Sequence, residues 1–412
     1  MLTRLRKSAR PAAAVAFAVA ALVTTVPAAT ATPSPPSVVL PDDDPFYDVP
    51  SHVDAKRDGT VLRWRRLPAH ELAIPAPAQV WQLLYKTRDN AGKATATVGT
   101  LLVPTARWTG PGERPLLSYQ TPEDGLATFC APSYLLRAGS KTDDPASEGQ
   151  ARFDRGQVAD AVGRGWAVMV PDYEGPRSQF LGADAAAHGV LDGIRAARSF
   201  APARVHRDAP VGMWGYSGGG LATASAAQKQ SLFAPELDIS AVVLGGVAAD
   251  LNAALASVSG QAFSGWIPFA VAAVRNAVPR AGADRYVNEH GRALADRYAH
   301  GCAGAPILGG PHFAAVGEFE AWPGSLTSGP FRDLLHRLSP VGFGGTPAAP
   351  VLMYHGTEDE LLPVSAAREL AAQYRARGAD VVLTEHAGQG HSSAQTVGVA
   401  DAVAFLTHRF AH

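Results

Sequence analysis

From residue 115 onward, short apolar runs alternate with helix-length stretches, and this alternation restricts the fold more than any other feature of the chain. The runs cover 115–119, 166–170, 211–214, 240–244, 351–354 and 381–384. Each is too short for a helix and apolar almost throughout, which is the pattern of a strand covered on both faces. Segments 184–199, 218–229 and 364–377 between them read as helices. Strand alternating with helix predicts an α/β fold with a mostly parallel central sheet and helices on both sides. Three earlier strand candidates lie at 61–67, 80–86 and 97–103, the last ending at Pro104. The turn Asp89-Asn90-Ala91-Gly92 joins two of them as a hairpin, so an antiparallel edge is expected on that sheet.

One interval breaks the rhythm. About a hundred residues separate the strand ending at Gly245 from the strand beginning at Val351, whereas a βαβ unit needs only about 30. The excess holds apolar helix candidates at 266–278, 293–300 and 331–338. It reads as an inserted helical cap over 250–349, within a core formed by 45–249 and 350–412. Such a cap belongs over the carboxyl ends of the strands, where open α/β sheets bind ligands.

The N-terminal segment stands outside this pattern. Arg4, Arg6, Lys7 and Arg10 precede an apolar stretch at 12–26, and Ala29-Thr30-Ala31 supplies an A-x-A site. That order predicts a signal peptide over 1–31 and a secreted protein. The fifteen apolar residues fall short of the roughly 20 that span a bilayer, so no stable membrane anchor is expected. Cleavage would leave 381 residues with 32 basic and 37 acidic side chains, a net charge of −5. No basic stripe suggests nucleic acid as a partner. Residues 32–44, rich in Pro and Asp, read as a tether whose acidic run 42–44 is solvated. In an oxidising compartment the only two cysteines, Cys130 and Cys302, are expected to form one disulfide between distant parts of the chain.

The residues carrying chemistry begin with Gly215-Tyr216-Ser217-Gly218-Gly219. The G-x-S-x-G pattern alone is common. Here a strand candidate precedes it and an Ala-rich helix follows, as a nucleophile elbow requires. The glycines allow strand and helix to approach closely around a strained Ser217. The bland alternative makes Ser217 only a helix N-cap. A serine hydroxyl needs a base, and the base needs an orienting acid, in the chain order Ser, acid, His. His391, in a Gly-rich loop after the last strand and before a single helix expected over 394–410, is the preferred base, with His386 as runner-up. Asp359, in His355-Gly356-Thr357-Glu358-Asp359-Glu360 directly after a strand, is the preferred acid, with Glu358 second. His355 reads as a structural hydrogen-bonder. The backbone N–H groups of Gly218 and Asp124 are candidates for the oxyanion hole; the Asp124 side chain either adds a hydrogen bond or merely shapes its turn. No metal-ligand spacing and no dinucleotide fingerprint is present, so neither metal nor cofactor is expected.

Several longer segments resemble the secretory lipase family of fungi and actinobacteria, which has the α/β-hydrolase fold. They are DPFYDVP at 44–50, GTLLVP at 99–104, YQTPEDG at 119–125 running into CAPSY at 130–134, VPDYEGP at 170–176, LDGIRAAR at 191–198, GYSGGG at 215–220 and HGTEDELLP at 355–363. The resemblance implies Ser217 as nucleophile, Asp359 as acid, His391 as base, and Asp124 and Gly218 as oxyanion donors. It also implies a Cys130–Cys302 bridge and a lid over an acyl-binding tunnel. The expected function is a secreted serine ester hydrolase acting on acylglycerols, monomeric, with transient contact between cap and lipid surface. The alternatives are a short-chain carboxylesterase or acyltransferase with the same triad, or a non-catalytic binding protein on the same scaffold.

Overall fold

The computed structural model describes residues 37–411 apart from 73, 75 and 76. The expected signal peptide and the first residues of the tether lie outside the described residues. The strands are β1 (Val61–Leu67), β2 (Ala78–Arg88), β3 (Ala94–Pro104), β4 (Leu116–Gln120), β5 (Ala167–Pro171), β6 (Val211–Tyr216), β7 (Ala241–Gly245), β8 (Val351–Gly356) and β9 (Val381–His386). They form one sheet in the order β1-β2-β3-β5-β4-β6-β7-β8-β9. The first three are antiparallel, β3 also runs antiparallel to β5, and β4 to β9 are parallel. The hairpin strands outrun the expected limits because their pairing continues from Ala78 opposite Pro104 to Arg88 opposite Ala94.

The helices of six residues or more are α1 (Pro145–Gly163), α2 (Ala183–Ser199), α3 (Gly218–Phe233), α4 (Leu251–Val258), α5 (Trp266–Ala277), α6 (Glu289–Tyr298), α7 (Gly304–Gly309), α8 (Gly329–Leu338), α9 (Val364–Ala376), α10 (His391–Val397) and α11 (Val399–Phe410). Alternate strand residues feed two cores. Met213, Leu244 and Met353 pack with α2, α3 and α9. Trp214, Val243 and Leu352 pack with α1 and α11. Both faces are therefore covered, which is why these strands read as unbroken apolar runs.

Helices α4 to α8 fall in the long interval between β7 and β8. They share a separate apolar core with Leu126, Phe180 and Leu181, built on Phe269, Phe319 and Phe331. The Cys130–Cys302 disulfide ties this region to the loop after β4.

Two local expectations are corrected. A single helix over 394–410 is instead two, α10 beginning at His391 and α11 following Gly398. A Cβ at Gly398 would overlap the Tyr354 ring, so close packing on β8 requires glycine at the junction. The stretch 38–44, expected to be a free tether, is pinned, while Asp42 and Asp43 of its acidic run are exposed as expected. Val38 N donates to Gly139 O at 3.2 Å, Asp42 accepts from Thr128 Oγ1 at 2.7 Å, and Asp44 pairs with Arg65 at 2.6 Å.

Candidate active site

Ser217 stands between β6 and α3 with φ +55° and ψ −120°, a conformation that L residues rarely adopt. The neighbours make it feasible. A Cβ at Gly215 would overlap the Gly219 backbone, and a Cβ at Gly219 would overlap the Gln120 carbonyl. Ser217 N donates to Gly245 O at 3.0 Å, and Ser217 O accepts from Leu221 N at 2.9 Å. The turn is thus held from both sides, a strained arrangement typical of functional positions.

His391 opens α10, and its Nε2 lies 3.0 Å from Ser217 Oγ. Its Nδ1 lies 2.8 Å from Asp359 Oδ2. The backbone of His391 is gripped on both sides. Its N–H donates to Glu360 Oε2 at 2.9 Å, and its carbonyl accepts from Tyr216 OH at 2.5 Å. Asp359 sits in the turn after β8, where its Oδ1 accepts from the N–H groups of Leu361 and Leu362 at 3.0 and 2.8 Å. Its Oδ2 also lies 3.2 Å from Nε2 of the buried His355. Burial alone would raise the Asp359 pKa. Hydrogen bonds from His355 and His391 overcome that and hold it well below the ordinary carboxylate range.

The runners-up lie elsewhere. His386, at the end of β9, faces Asp401 at 3.2 Å. Glu358 is exposed. The sequence-level choice between neighbouring carboxylates turned on one loop, and the two N–H bonds to Asp359 Oδ1 set which of them faces inward.

Asp124 and Gly218 lie side by side on the wall of an apolar pocket that also contains Ser217. A Cβ at Gly218 would overlap Asp124 Oδ1. Asp124 has φ +40° and is buried, with Oδ1 unpartnered. Burial raises its pKa to about 7, and the nearby His391 opposes that rise. Gly218 is the first residue of α3, so its N–H has no partner within the helix and the helix dipole favours negative charge beside it.

Behind this loop lies a group of buried carboxyls that sequence reasoning missed. Glu174 Oε2 accepts from Gly125 N at 3.2 Å, and the Asp124 N–H also faces that carboxyl. Tyr173 OH donates to Thr121 O at 2.8 Å and accepts from Glu123 N at 3.1 Å. The available signal was the pair of acidic residues in each of YQTPEDG and VPDYEGP, segments some 50 positions apart. Burial raises Asp172 and Asp154 to about 7 and Glu123 and Glu174 well above the usual range.

These shifts have a sign. A carboxyl whose folded pKa exceeds its unfolded value of about 4 contributes stability that is fully present below pH 4. That contribution is lost as pH rises through about 7. Each proton held only by the native state contributes a slope of about 1.4 kcal/mol per pH unit. Asp359 acts oppositely, but its loss begins only as pH falls below about 4. The midpoint of thermal unfolding is therefore expected to be several degrees lower at pH 8 than at pH 5. Equal or higher thermal stability at pH 8 would contradict this account.

A family model described as secretory lipase matches residues 141–412. The chain belongs to the secretory lipase family. A Mycobacterium tuberculosis protein named a probable inactive lipase is 35% identical over 390 residues, covering 90% of this chain and 83% of the relative. A secreted triacylglycerol lipase of Malassezia furfur is 30% identical over 389 residues, covering 91% and 80%. The solved structure of Candida antarctica lipase A superposes with a TM-score of 0.81 at 25% identity, covering 91% of this chain and 87% of that one. The fold is thus the α/β-hydrolase fold, and the resemblance first seen in short segments extends through the interval between β7 and β8.

Proposed function

We propose that this chain is a secreted serine hydrolase that cleaves acylglycerol esters through an acyl-enzyme on Ser217. The observation that carries the reading is the bonded series Ser217 Oγ, His391 Nε2, His391 Nδ1, Asp359 Oδ2, with steps of 3.0 and 2.8 Å, opening on an apolar pocket. In this mechanism His391 takes the Ser217 proton as Oγ attacks the ester carbonyl. Asp359 holds the ring and stabilises its protonated form. Negative charge developing on the carbonyl oxygen meets the Gly218 N–H and the Asp124 carboxyl while burial keeps it protonated, the Asp124 N–H being turned to Glu174. His391 then protonates the departing alcohol, and water releases the acid by the same path.

Leu221, Leu251, Leu255, Val258 and Trp266 line the pocket and suit an acyl chain, which favours a lipase over a short-chain esterase or acyltransferase. Secretion is supported by the N-terminal pattern at 1–31, the disulfide and the family's description. The mycobacterial relative's name raises the alternative of a silent scaffold. The intact bonding of Ser217 in this chain favours turnover.

An alkyl phosphonate ester is expected to label Ser217 stoichiometrically, and hydrolysis should persist as acyl length rises from acetyl to oleoyl in emulsions. Absence of labelling favours the silent scaffold. Labelling with turnover confined to short acyl groups replaces lipase by carboxylesterase.

A further inference from the structure

Phe313 combines two unfavourable properties. It is 69% exposed, and its φ of +61° lies in the left-handed region, an outlier for a bulky residue. Neither is an accident of a loose loop. Phe313 N donates to Gln261 O at 2.8 Å, and Gly260 N donates to Ala314 O at 2.9 Å. His312 Nδ1 lies 2.6 Å from Ala262 O. The fully buried Ser264 hydroxyl donates to Pro311 O at 2.9 Å and accepts from Ala314 N at 3.1 Å. Five bonds thus clamp a strained backbone that displays a phenyl ring to water. Strain that the surroundings over-determine points toward function.

The clamp also has a position. Its partner segment, 260–264, is the turn between α4 and α5. Those two helices supply Leu251, Leu255, Val258, Trp266 and Ala270 to the wall of the pocket beside Ser217. Charge distinguishes the region further. Residues 251–274 and 298–317, 44 in all, contain no Asp, Glu, Lys or Arg, whereas the chain's own 18% would place about eight there. Leu308 on α7, within the second stretch, is 60% exposed.

We propose that the loop 311–313 anchors the cap in an uncharged lipid–water interface, with Phe313 inserted into the lipid. The proposal rests on reading the pocket as an acyl site, and it names the phase from which that site is filled. The loop's own side chains carry no formal charge, so none gives up the hydration of an ion on entering an acylglycerol phase; Glu318, whose Oε1 accepts from Ala315 N at 2.7 Å, stands at the edge of this uncharged stretch. Its attraction is apolar area, in which a phenyl ring is among the largest contributors. A rigid loop also loses little conformational freedom when the ring is immersed.

The test uses droplets of trioleoylglycerol coated with phosphatidylcholine and chains carrying Ser217→Ala, so that the lipid is not consumed. Phe313→Asn and Phe313→Gly both suit the left-handed backbone, so each should fold at least as stably as the parent. Adding either is expected to weaken droplet binding about tenfold, with less than about a twofold change when salt rises from about 0.1 to 0.5 M. In chains retaining Ser217, turnover of dissolved p-nitrophenyl acetate should stay within about twofold of the parent. Binding unchanged by both substitutions overturns the proposal. So does loss of dissolved-ester turnover in parallel, which makes Phe313 structural, or a Phe313-dependent dimer in solution, which makes a second copy the occupant. A parent chain that binds droplets through Phe313 but hydrolyses no ester leaves the anchor standing and removes the hydrolase reading instead.

Discussion

Ser217→Ala is expected to lower kcat on any ester by about 10⁶-fold while leaving the fold intact, the scale seen when a serine nucleophile is removed. The loss is confined to chemistry because the hydroxyl's hydrogen bond is to His391. The backbone bonds to Gly245 and Leu221 are independent of the side chain. Alanine meets the same φ of +55°, so strain is unchanged. Ser217→Gly separates the two effects, because glycine has no Cβ to strain. It should be equally inactive yet more stable by about 1 kcal/mol. His391→Ala should approach the Ser217→Ala loss, and the double variant should be no worse than either single one, since the two residues act as a unit. The measurement is ester turnover beside thermal unfolding. Residual activity in Ser217→Ala above about one part in a thousand would remove Ser217 from the mechanism.

The ease of reading this site varied with how local its determinants are. Ser217 is legible because the strain of its turn is relieved by glycines two residues away on either side. The parallel strands are legible because both their faces are buried, so no polar residue interrupts them. The choice of Asp359 over Glu358 is not local, since it depends on how the turn to Leu361 and Leu362 closes. Tyr216 bonds the His391 carbonyl across 175 positions, and Glu174 bonds Gly125 across 49. No periodicity or short motif encodes such pairs. The glycine at 398 likewise answers to the Tyr354 ring, which belongs to a strand some forty residues earlier. The anchored stretch 38–44 read as a free tether because its acidic run shows no partner in sequence, and Thr128 and Arg65 reach it only in the fold.

Asp359→Asn is expected to lower kcat by about 10⁴-fold near neutral pH, with the chain still folded. The reason lies in the four groups around this carboxylate. Oδ1 faces two N–H donors, from Leu361 and Leu362, so the oxygen of an introduced asparagine is drawn to that side. Its NH₂ then faces His391 Nδ1 and His355 Nε2. His355 Nε2 already lies 2.7 Å from the Leu362 carbonyl, which requires a proton on Nε2. The amide therefore confronts a donor with a donor there, while at His391 it donates to Nδ1 and forces the ring proton onto Nε2. A ring protonated at Nε2 cannot accept the Ser217 proton, so the nucleophile loses its base although every atom stays near its place. Flipping the amide would repair His391 but set NH₂ against two backbone donors, which costs buried hydrogen bonds at Leu361 and Leu362. The prediction therefore has two readouts. Dissolved-ester kinetics should show the fall in kcat with KM changed far less. Nitrogen chemical shifts of the His391 ring should show its neutral form protonated at Nδ1 in the parent and at Nε2 in Asp359→Asn. A full loss of activity with the parent's ring tautomer retained would mean that Asp359 acts through its charge alone, and the hydrogen-bond argument would fail.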